Sequence, residues 1–372
     1  MGTNIKRLLC LLSGMNAGGA ETFLMKIYRN LDRTRYQIDF CINEKGKCFY
    51  EDEIISMGGK IYRIPSKSEN VKEFKRQLGE IVRNEKYERV MRITSSAMGF
   101  MDLKIAKKAG AKVCCARSSN ASDGGSLKSK LVHIAGRALY QKYVDVAIAP
   151  SDLAAAYTFG KKKYESGQVN ILHNAVDLGI FKYDPEQRER LREEFGIAED
   201  KIVLGHVGRF EAQKNHTFLA DIFKSIHDRN DKTVLLLVGD GSLRPTFEEK
   251  IKALGLTDSV VFAGIRTDVP KILSAMDAFV FPSFYEGMPN TVIEAQATGL
   301  PCIISDTITK EANITGLVDY VPLGDSADAW AERVEARLNL PRKDTKSDFY
   351  EHKYDITSLV DEFVRIIWNE KH

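Results

Sequence analysis

The sequence predicts an α/β protein built from two domains, each with a mostly parallel sheet. Three observations lead to this fold class. The chain has 372 residues, which is more than a single hydrophobic core usually organises. Short apolar runs typical of buried strands alternate with longer segments typical of helices, as in successive βαβ units. Glycine-rich turns follow several of these strand-like runs, at the edge where a parallel sheet binds ligands.

The first half of the chain supplies one such series. Buried parallel strands are predicted over Arg7–Ser13, Gln37–Ile42, Lys60–Ile64, Glu88–Thr94, Lys112–Ala116 and Val144–Pro150. Helices are predicted between them at Thr22–Leu31, Val71–Arg83, Phe100–Ala109 and Leu127–Lys142. The helix over 127–142 is both basic and amphipathic, so it suits a membrane surface or ordinary packing on the sheet. We expect its apolar stripe to pack on the sheet.

A second series follows a linker over Asn174–Asp184, after which Pro185 begins a helix. Its strands are predicted at Lys201–Val207, Thr233–Val238, Ser259–Ala263, Ala278–Phe281, Cys302–Ser305 and Asp319–Pro322. The two domains are therefore expected over 1–175 and 176–354. An amphipathic helix over Asp355–Asn369 completes the chain.

The formal net charge of +3 hides an asymmetry between the halves. Residues 1–175 carry 30 Lys and Arg against 17 Asp and Glu, a balance of +13. Residues 176–372 carry the remaining 24 Lys and Arg against 34 Asp and Glu, a balance of −10. A basic half suits an anionic lipid surface or a phosphorylated acceptor, with a solvated lysine-rich face as the plainer alternative. No basic motif interleaved with aromatic residues points to nucleic acid.

The composition, with 44% hydrophobic and 28% charged residues, is that of an ordinary soluble globular protein. Its six cysteines form no Cys-x-x-Cys pair and no zinc spacing, which predicts buried thiols in a reducing compartment. The apolar run near the N-terminus is too short for a signal peptide or a membrane span. We therefore expect a cytoplasmic protein, attached at most to the inner membrane face.

The most informative stretch runs over 281–306 as a strand end, a loop, a helix and the next strand. Glu286 is expected in the loop at the carboxyl end of a parallel strand. Glu294 follows seven intervening residues later, in a helix that starts near Asn290 and Thr291. That crevice binds ligands in open α/β sheets. The alternatives are a solvated loop acid for Glu286 and a capping box with Thr291 for Glu294.

Two cations follow the strand that opens the second half, in Gly208-Arg209-Phe-Glu-Ala-Gln-Lys214-Asn215. Arg209 has a forked guanidinium that fits a phosphate, and Lys214 adds a compact positive charge. A cation near a helix start opposes the helix dipole, which weakens the alternative of two incidental surface charges. The pair is suited to a diphosphate that gains charge as it leaves. The chain contains no Asp-x-Asp, so no metal site is expected.

A glycine-rich turn, Gly14-Met-Asn-Ala-Gly18-Gly19-Ala-Glu, follows the first strand. Such a turn at a helix start lets backbone N–H groups approach a phosphate. It is not Gly-x-Gly-x-x-Gly, so we predict no dinucleotide site, and ordinary strand-to-helix turn chemistry is the alternative. Similar positions in the second half are the turn at Gly241 and the strand end at Ile265 and Arg266.

Together these residues resemble glycosyltransferase family 4, retaining enzymes of the GT-B fold. The stretch Tyr-Glu286-Gly-Met-Pro-Asn-Thr-Val-Ile-Glu294-Ala-Gln-Ala-Thr-Gly-Leu-Pro-Cys most resembles bacterial enzymes that build capsular and exopolysaccharide. The resemblance covers the second half closely and the first half loosely. It implies two facing Rossmann-like domains with an interdomain cleft, an acceptor domain over 1–175 and a donor domain over 176–354. It also implies that the last helix, about 355–372, returns to the first domain.

The resemblance further implies metal-independent transfer of a sugar, with retention, from a nucleotide-sugar, by family habit a UDP-sugar. Glu286 would hold sugar hydroxyls near the reacting carbon, Arg209 and Lys214 would stabilise the departing diphosphate, and Glu294 would bind the ribose. The other implied donor-binding residues are Gly18, Gly19, Gly208, Gly241, Ile265, Arg266, Gly287, Met288, Pro289, Asn290 and Thr291.

On the acceptor side the sequence departs from the family. Related enzymes often have His-Ser-His-Asn where this chain has Arg117-Ser-Ser119-Asn120. The implied acceptor is a glycan or an anionic lipid-linked sugar, with peripheral contact to an anionic inner membrane through the basic domain. The departure leaves open a non-catalytic nucleotide-sugar-binding scaffold, which an inactive Glu286→Ala variant of an active enzyme would reject. A GT-B nucleotide-sugar epimerase, which needs no acceptor, is the other alternative.

Overall fold

The computed structural model describes residues 5–16, 18–119, 126–286, 288–338 and 340–372. The chain divides into two compact units. The first comprises Met1–Ala175 together with Ile356–His372, and the second comprises Val176–Asp355.

Over the described residues, the first unit forms a parallel sheet of seven strands. The strands are β1 (Lys6–Leu11), β2 (Tyr36–Ile42), β3 (Ile61–Arg63), β4 (Arg89–Thr94), β5 (Val113–Ser118), β6 (Val146–Ala149) and β7 (Asn170–Ile171). Their order is β3-β2-β1-β4-β5-β6-β7. The strand order therefore reverses between β1 and β4, and the loops that follow these two strands diverge at the carboxyl edge of the sheet.

Helices cover both faces of this sheet, and two clusters of buried apolar residues fill the space between them. They are α1 (Gly19–Asn30), α2 (Glu51–Ser56), α3 (Lys67–Asn84), α4 (Phe100–Ala109), α5 (Leu127–Tyr140), α6 (Asp152–Phe159) and α7 (Lys161–Glu165). Serine side chains cap several helix starts. Ser66 forms a full capping box with Glu69, and Ser126 and Ser151 cap α5 and α6.

The orientation of α5 contradicts our expectation from the sequence. Its buried residues are His133 and Gly136, whereas its large apolar side chains are exposed, with Leu127 at 80%, Leu131 at 67% and Ile134 at 51%. The physical reason is steric. Gly136 lies so close to the backbone of the short 3-10 turn at 97–99 that the small face of the helix packs inward. The apolar stripe of α5 consequently faces away from the first unit.

The second unit, over its described residues, forms a parallel sheet of six strands. The strands are β8 (Ile202–Val207), β9 (Thr233–Val238), β10 (Val260–Gly264), β11 (Ala278–Phe281), β12 (Cys302–Ser305) and β13 (Val318–Val321). Their order is β10-β9-β8-β11-β12-β13, so the strand order reverses between β8 and β11.

The helices of this unit again pack on both faces of the sheet. They are α8 (Pro185–Glu194), α9 (His216–Arg229), α10 (Arg244–Ala253), α11 (Val269–Ala275), α12 (Asn290–Ala297), α13 (Ala327–Leu338) and α14 (Lys346–Glu351). Asp277 ties α8 to the sheet. Its carboxylate accepts hydrogen bonds at 2.7 Å from Arg188, from Arg192 and from the backbone N–H of Val203.

The last helix, α15 (Ile356–Trp368), packs in the first unit. Its apolar face joins the core beside α1, and the Trp368 ring centre lies 4.6 Å from that of Tyr36. Arg89 donates to the carbonyl oxygen of Ile367 at 2.9 Å. The apolar face predicted for this terminal helix is thus buried, which explains why it is ordered despite following the whole second unit.

The six cysteines are free and buried, as the sequence analysis predicts. Within the described ranges, no helix combines the length and apolar character needed to span a bilayer.

We predict that Gly136→Ala destabilises the first unit by roughly 1–3 kcal/mol, because the added methyl group would force α5 away from the backbone of the turn at 97–99. A methyl group there would lie 2.6 Å from the carbonyl carbon of Ala97. Gly79→Ala, in α3, is the matched control, since a methyl group at Gly79 would meet no atom of the described residues outside its own helix within 4 Å. It should stabilise by up to about 1 kcal/mol through helix propensity. Denaturant unfolding checks both, and an unaffected Gly136→Ala variant would contradict this packing.

Candidate active site

The candidate site lies at the carboxyl edge of the second sheet, between neighbouring strands β8 and β11. The loop over 208–215 follows β8, and the loop over 282–289 follows β11. Because β8 and β11 are hydrogen-bonded neighbours at the reversal of strand order, their loops leave the sheet side by side toward different faces. The sequence placed Arg209, Lys214 and Glu286 on these two loops.

Lys214 and Glu286 form an ion pair across the two loops. The Lys214 Nζ lies 2.6 Å from the Glu286 Oε1, and the two side chains are 18% and 10% exposed. The ammonium also lies 4.6 Å from the centre of the Phe281 ring, at the end of β11. Partial burial strengthens such a pair relative to one at the surface. The sequence identified both charges but gave no sign that they neutralise each other.

Backbone and amide hydrogen bonds hold the same two loops together. The backbone N–H of Phe284 donates to the Gln213 carbonyl at 2.9 Å, and the Gln213 amide donates to the Tyr285 carbonyl at 2.8 Å. The loop after β11 is also tied to β12, because the Ser283 carbonyl accepts from the Ser305 hydroxyl at 2.6 Å. These bonds place Glu286 beside Lys214 before any ligand arrives. Gln213 and Ser283 were not predicted, although Gln213 lies inside the quoted motif.

Arg209 differs from Lys214 in having no partner. Its side chain is exposed, and within the described ranges its guanidinium makes no hydrogen bond or ion pair. The adjacent backbone is fixed, since Gly208 N–H donates to the Val238 carbonyl at 2.9 Å and Phe210 N–H to the Asp240 carbonyl at 3.1 Å. The Arg209 guanidinium is therefore exposed on a loop whose backbone is fixed by hydrogen bonds on either side of it.

Two predicted glycines are explained by close packing around this loop. A Cβ at Gly241 would lie 2.6 Å from the Phe210 carbonyl oxygen, so this turn needs glycine for packing alone. A Cβ at Gly208 would lie 3.3 Å from the Lys214 Cε and 3.0 Å from the His206 Nε2. A larger residue at Gly208 would therefore displace the lysine.

Two buried histidines, His206 and His216, pack against the loop over 208–215. His206 Nδ1 bonds the Val280 carbonyl at 2.9 Å, while its Nε2 and both ring nitrogens of His216 are without partners in the described part of the chain. The His216 ring stacks on Phe210 at 4.1 Å. Burial, with the Lys214 charge, lowers the pKa of His216 to about 4, and burial lowers the pKa of His206 well below its ordinary value. Both rings are therefore neutral packing elements at pH 7.

Helix α12 begins at Asn290, with Pro289 at its N-cap position and without a side-chain cap hydrogen bond. Thr291 lies inside the helix, so the capping box considered for Thr291 and Glu294 does not form. Glu294 lies about one turn into α12 and is half-buried. Met288 packs against apolar residues of the second unit. Gly287 lies outside the described residues.

At the neighbouring strand end, Ile265 is 81% exposed. The Arg266 guanidinium is bidentate to Asp268, at 2.8 and 2.7 Å, and bonds Glu194 at 2.7 Å. This engagement favours the backbone, rather than the Arg266 side chain, as the group available to a ligand. The Gly264 carbonyl accepts from the Gly239 N–H at 2.8 Å, and this hydrogen bond ties the turn after β9 to the end of β10.

The described predicted residues of the first unit lie in two places, at the start of α1 and at the end of β5. Gly18 is the N-cap residue of α1 and Gly19 its first residue. Arg117 lies near the end of β5 and is 2% exposed, and Ser119 N–H donates to the Thr94 carbonyl at 3.0 Å. Asn120 lies outside the described residues. Arg117, expected beside an acceptor, is buried against the Phe23 ring at 3.5 Å.

The β8–β11 edge has the charges needed to bind and release a diphosphate. Arg209 offers free donors, Lys214 offers a charge shared with Glu286, and Glu286 offers carboxylate oxygens that accept hydroxyl hydrogen bonds. Across the residues that the structure describes, no group of three or more His, Cys, Asp or Glu side chains is placed to hold a metal ion. The cations of the loop are therefore the positive groups available at this edge.

Comparisons with known proteins show which family this chain resembles. A family model described as "Glycosyl transferases group 1" matches residues 201–339. EpsF of Bacillus subtilis (strain 168), named as a glycosyltransferase, is 34% identical over 339 residues, covering 90% of this chain and 88% of that protein. The UDP-Gal:alpha-D-GlcNAc-diphosphoundecaprenol alpha-1,3-galactosyltransferase of Escherichia coli is 26% identical over 317 residues, covering 81% of this chain and 78% of that protein.

Among solved structures, Anabaena Alr3699/HepE in complex with UDP-glucose matches with a TM-score of 0.75 at 16% identity. The match covers 98% of this chain and 100% of that one. At this identity the likeness bears on the fold alone, and it confirms the predicted GT-B fold class.

We predict that His216→Phe removes part of the acid sensitivity of the second unit. The pKa of His216 is about 4 when folded and about 6.5 when unfolded, so unfolding takes up a proton between these values. The contribution of the neutral His216 ring to the free energy of unfolding is therefore fully present above about pH 6.5 and is lost as the pH drops toward 4. Between about pH 8 and about pH 5 the wild type should lose about 2 kcal/mol more than the variant.

Urea unfolding at the two pH values measures this difference. His352→Phe is the control substitution, because His352 is an exposed histidine of the same unit outside this loop. Equal pH dependence of wild type and His216→Phe would contradict a neutral, buried His216.

Proposed function

The chain belongs to the glycosyl transferases of group 1, and from this we propose that it is a retaining, metal-independent enzyme that uses a UDP-sugar. The observation that carries the proposal is the juxtaposition of Arg209, Lys214 and Glu286 at the β8–β11 edge. Positive and negative groups stand there in the arrangement that a sugar diphosphate requires, with the phosphates toward the cations and the hydroxyls toward the carboxylate.

Arg209 and Lys214 would stabilise the diphosphate as the sugar–phosphate bond breaks. Fixed cations aimed at developing negative charge are an effective form of catalysis, because they need not reorient during the reaction. A divalent metal does this work in other enzymes. The two loop cations support the proposal that this enzyme needs none, and activity undiminished by EDTA would test it.

Glu286 would accept hydrogen bonds from the sugar hydroxyls near the reacting carbon, and Glu294 from the ribose. The backbone around 288–291 would complete the cradle, because the first N–H groups of α12 lack helical acceptors. The remaining donor contacts proposed are Gly18, Gly19, Gly208, Gly241 and the backbone at Ile265 and Arg266. Retention predicts that donor and product share one anomeric configuration, which NMR of the product measures directly.

The acceptor is proposed by analogy with the relatives. The Escherichia coli relative is named for transfer to a diphosphoundecaprenol-linked sugar, and EpsF carries the name of a glycosyltransferase. We propose a glycan on a lipid carrier as the acceptor here, in the synthesis of a surface polysaccharide, and assign its binding to the first unit.

Helix α5 supports a peripheral attachment of the first unit to the cytoplasmic face of an anionic membrane. Leu127, Leu131 and Ile134 recur at helical spacing on its exposed side. Lys128 and Lys130 lie between them. An exposed apolar stripe flanked by cations is the pattern of a helix that lies in the plane of a lipid surface.

Arg209→Ala should weaken UDP binding about 10- to 100-fold, since a hydrogen bond to a charged group contributes about 1.5–3 kcal/mol. Isothermal calorimetry with and without EDTA is the measurement, and EDTA should not change the affinity. Arg229→Ala is the control, because Arg229 ends α9 and pairs with Glu335 and Asp328. If UDP bound equally to wild type and Arg209→Ala, the donor site would be misassigned.

Glu286→Gln should affect binding and transfer in opposite directions. The amide no longer neutralises Lys214, so UDP without its sugar should bind roughly 3- to 10-fold more tightly. Sugar transfer should fall sharply, because the neutral Gln amide replaces the charged carboxylate that would accept hydrogen bonds from the sugar hydroxyls. Glu335→Gln removes the same charge from α13 and should change neither. Weaker UDP binding by Glu286→Gln would count against this ion-pair account.

Ile134→Glu should reduce binding to phosphatidylglycerol vesicles, because it places a negative charge on the exposed stripe of α5. Ile55→Glu is a matched control in the same unit, since Ile55 is 56% and Ile134 51% exposed. Co-flotation with vesicles is the measurement, and added salt should weaken wild-type binding by screening. Equal flotation of the two variants would exclude α5 as the contact.

A further inference from the structure

An open cleft in the first unit is lined by cations from two separate segments of the chain. Its volume is about 750 Å³. The basic residues that line it are Arg137, Lys142, Lys161, Lys162 and Lys163. Among the described residues that line the cleft, none is acidic. Clefts lined by charges of one sign concentrate ions of the opposite sign, so this one should attract anions.

The cleft lies at the amino edge of the first sheet. Val144 leads into β6 and Gln168 leads into β7, and both residues line the cleft. Parallel strands begin at one edge of a sheet and end at the other, and six residues such as those of β5 span about 20 Å. Gly18 and Ser119, which follow β1 and β5, lie at the opposite, carboxyl edge. The cleft is therefore separate from the residues of this unit for which a role toward substrates was predicted.

Lys163 is the cation of this cleft that a solvated surface charge explains least well. Its side chain is half-buried, and within the described residues its ammonium makes no hydrogen bond or ion pair. Burial lowers the pKa of Lys163, and no neighbouring charge offsets the effect. A desolvated ammonium without a counter-ion destabilises a fold. A bound anion would reduce this cost, because it favours the charged form of the lysine.

The second segment contributes Arg137, in the last turn of α5, and Lys142, just beyond that helix. The Arg137 Nη1 donates to the Tyr157 carbonyl at 3.2 Å, and its other N–H groups make no hydrogen bond within the described ranges. A Cβ at Gly160, next to the three lysines, would lie 3.4 Å from this Nη1. The fold thus brings like charges from two segments together. Such charges repel each other, and a bound anion would offset the repulsion.

The lining groups suit an organic phosphate. A guanidinium can bind two phosphate oxygens side by side, and each lysine adds a compact positive charge. The neutral polar residues Gln141, Ser166 and Gln168 also line the cleft and can bond hydroxyl groups. Small-molecule sites usually have volumes of roughly 300–1,000 Å³, so this cleft is large enough for a phosphate together with the group that carries it.

We propose that this cleft binds a phosphate monoester that carries two or more negative charges. Two sources offer this chemistry: a free sugar bisphosphate, and the headgroup of a membrane lipid such as phosphatidic acid. A free ligand would make the cleft an effector site away from the substrates, and a lipid would make it an anchor beside α5. The lipid source rests on the proposed membrane attachment, whereas the cleft itself depends neither on that attachment nor on the donor site.

Lys163→Gln in the full-length protein tests the proposal with one probe for each source. Fructose 1,6-bisphosphate is titrated by calorimetry with UDP held at saturation, so that the proposed donor site is occupied. Co-flotation with phosphatidylcholine vesicles that contain phosphatidic acid measures the lipid source. The variant should bind at least one probe about tenfold more weakly, because a charged hydrogen bond is lost. A loss confined to one probe identifies the source, and a loss for both assigns the shared phosphate chemistry to the cleft.

Lys75→Gln is the matched control, because Lys75 is an exposed lysine of α3 outside the cleft, and its loss removes the same charge from the same unit. It should change neither affinity. Equal losses in the two variants, unchanged binding by Lys163→Gln, or a wild type that binds neither probe would overturn the inference. The melting temperature of Lys163→Gln should stay or rise, since a half-buried charge is removed. A lower melting temperature with unchanged affinity would make Lys163 purely structural.

Lys142→Gln keeps the test decisive if Lys163→Gln does not fold, because Lys142 is exposed and comes from the other segment. It should weaken binding of the same probe several-fold, and an unchanged affinity would exclude the cleft as the site. Ile134→Glu judges the contact through α5 and Arg209→Ala judges the donor site. Each of the three ideas can therefore fail while the others stand.

Discussion

The ion pair between Lys214 and Glu286 is the interaction on which the candidate site depends. It exists because β8 and β11 are neighbours in space although about 70 residues separate them in sequence. The reversal of strand order at this point sends one loop to each face of the sheet. Hydrogen bonds through Gln213 then join the two loops, and the Ser283 carbonyl ties the loop after β11 to the end of β12. In the ligand-free structure Lys214 and Glu286 partly neutralise each other, so a diphosphate bound at the proposed donor site would have to compete with the carboxylate for Lys214.

Much of the fold follows from local sequence. The strands at 233–238, 278–281 and 302–305 were predicted with their observed bounds, because fully buried parallel strands are continuous apolar runs with turn residues at both ends. The two-residue strand β7 was missed, since so short a run carries no periodic signal. The loop positions of Arg209, Lys214 and Glu286 were also predictable, because the loops that carry them directly follow predicted strands.

What the sequence did not reveal depends on long-range packing. The exposed stripe of α5 resulted from one glycine, Gly136, that lets the opposite face of the helix approach a neighbouring turn. The burial of Arg117 against Phe23 joins β5 to α1, which no local pattern encodes. The first unit thus combines a basic composition with two unusual features, an outward apolar helix and an inward cation.

The most direct test of the donor-site account is a crystal structure of the full-length protein with UDP. The account predicts the diphosphate at the β8–β11 edge, with Arg209 and Lys214 within hydrogen-bonding distance of its oxygens. Lys214 should have left Glu286, whose carboxylate would then face the sugar position. A diphosphate bound elsewhere, or one bound there with the Lys214–Glu286 pair still intact, would contradict it.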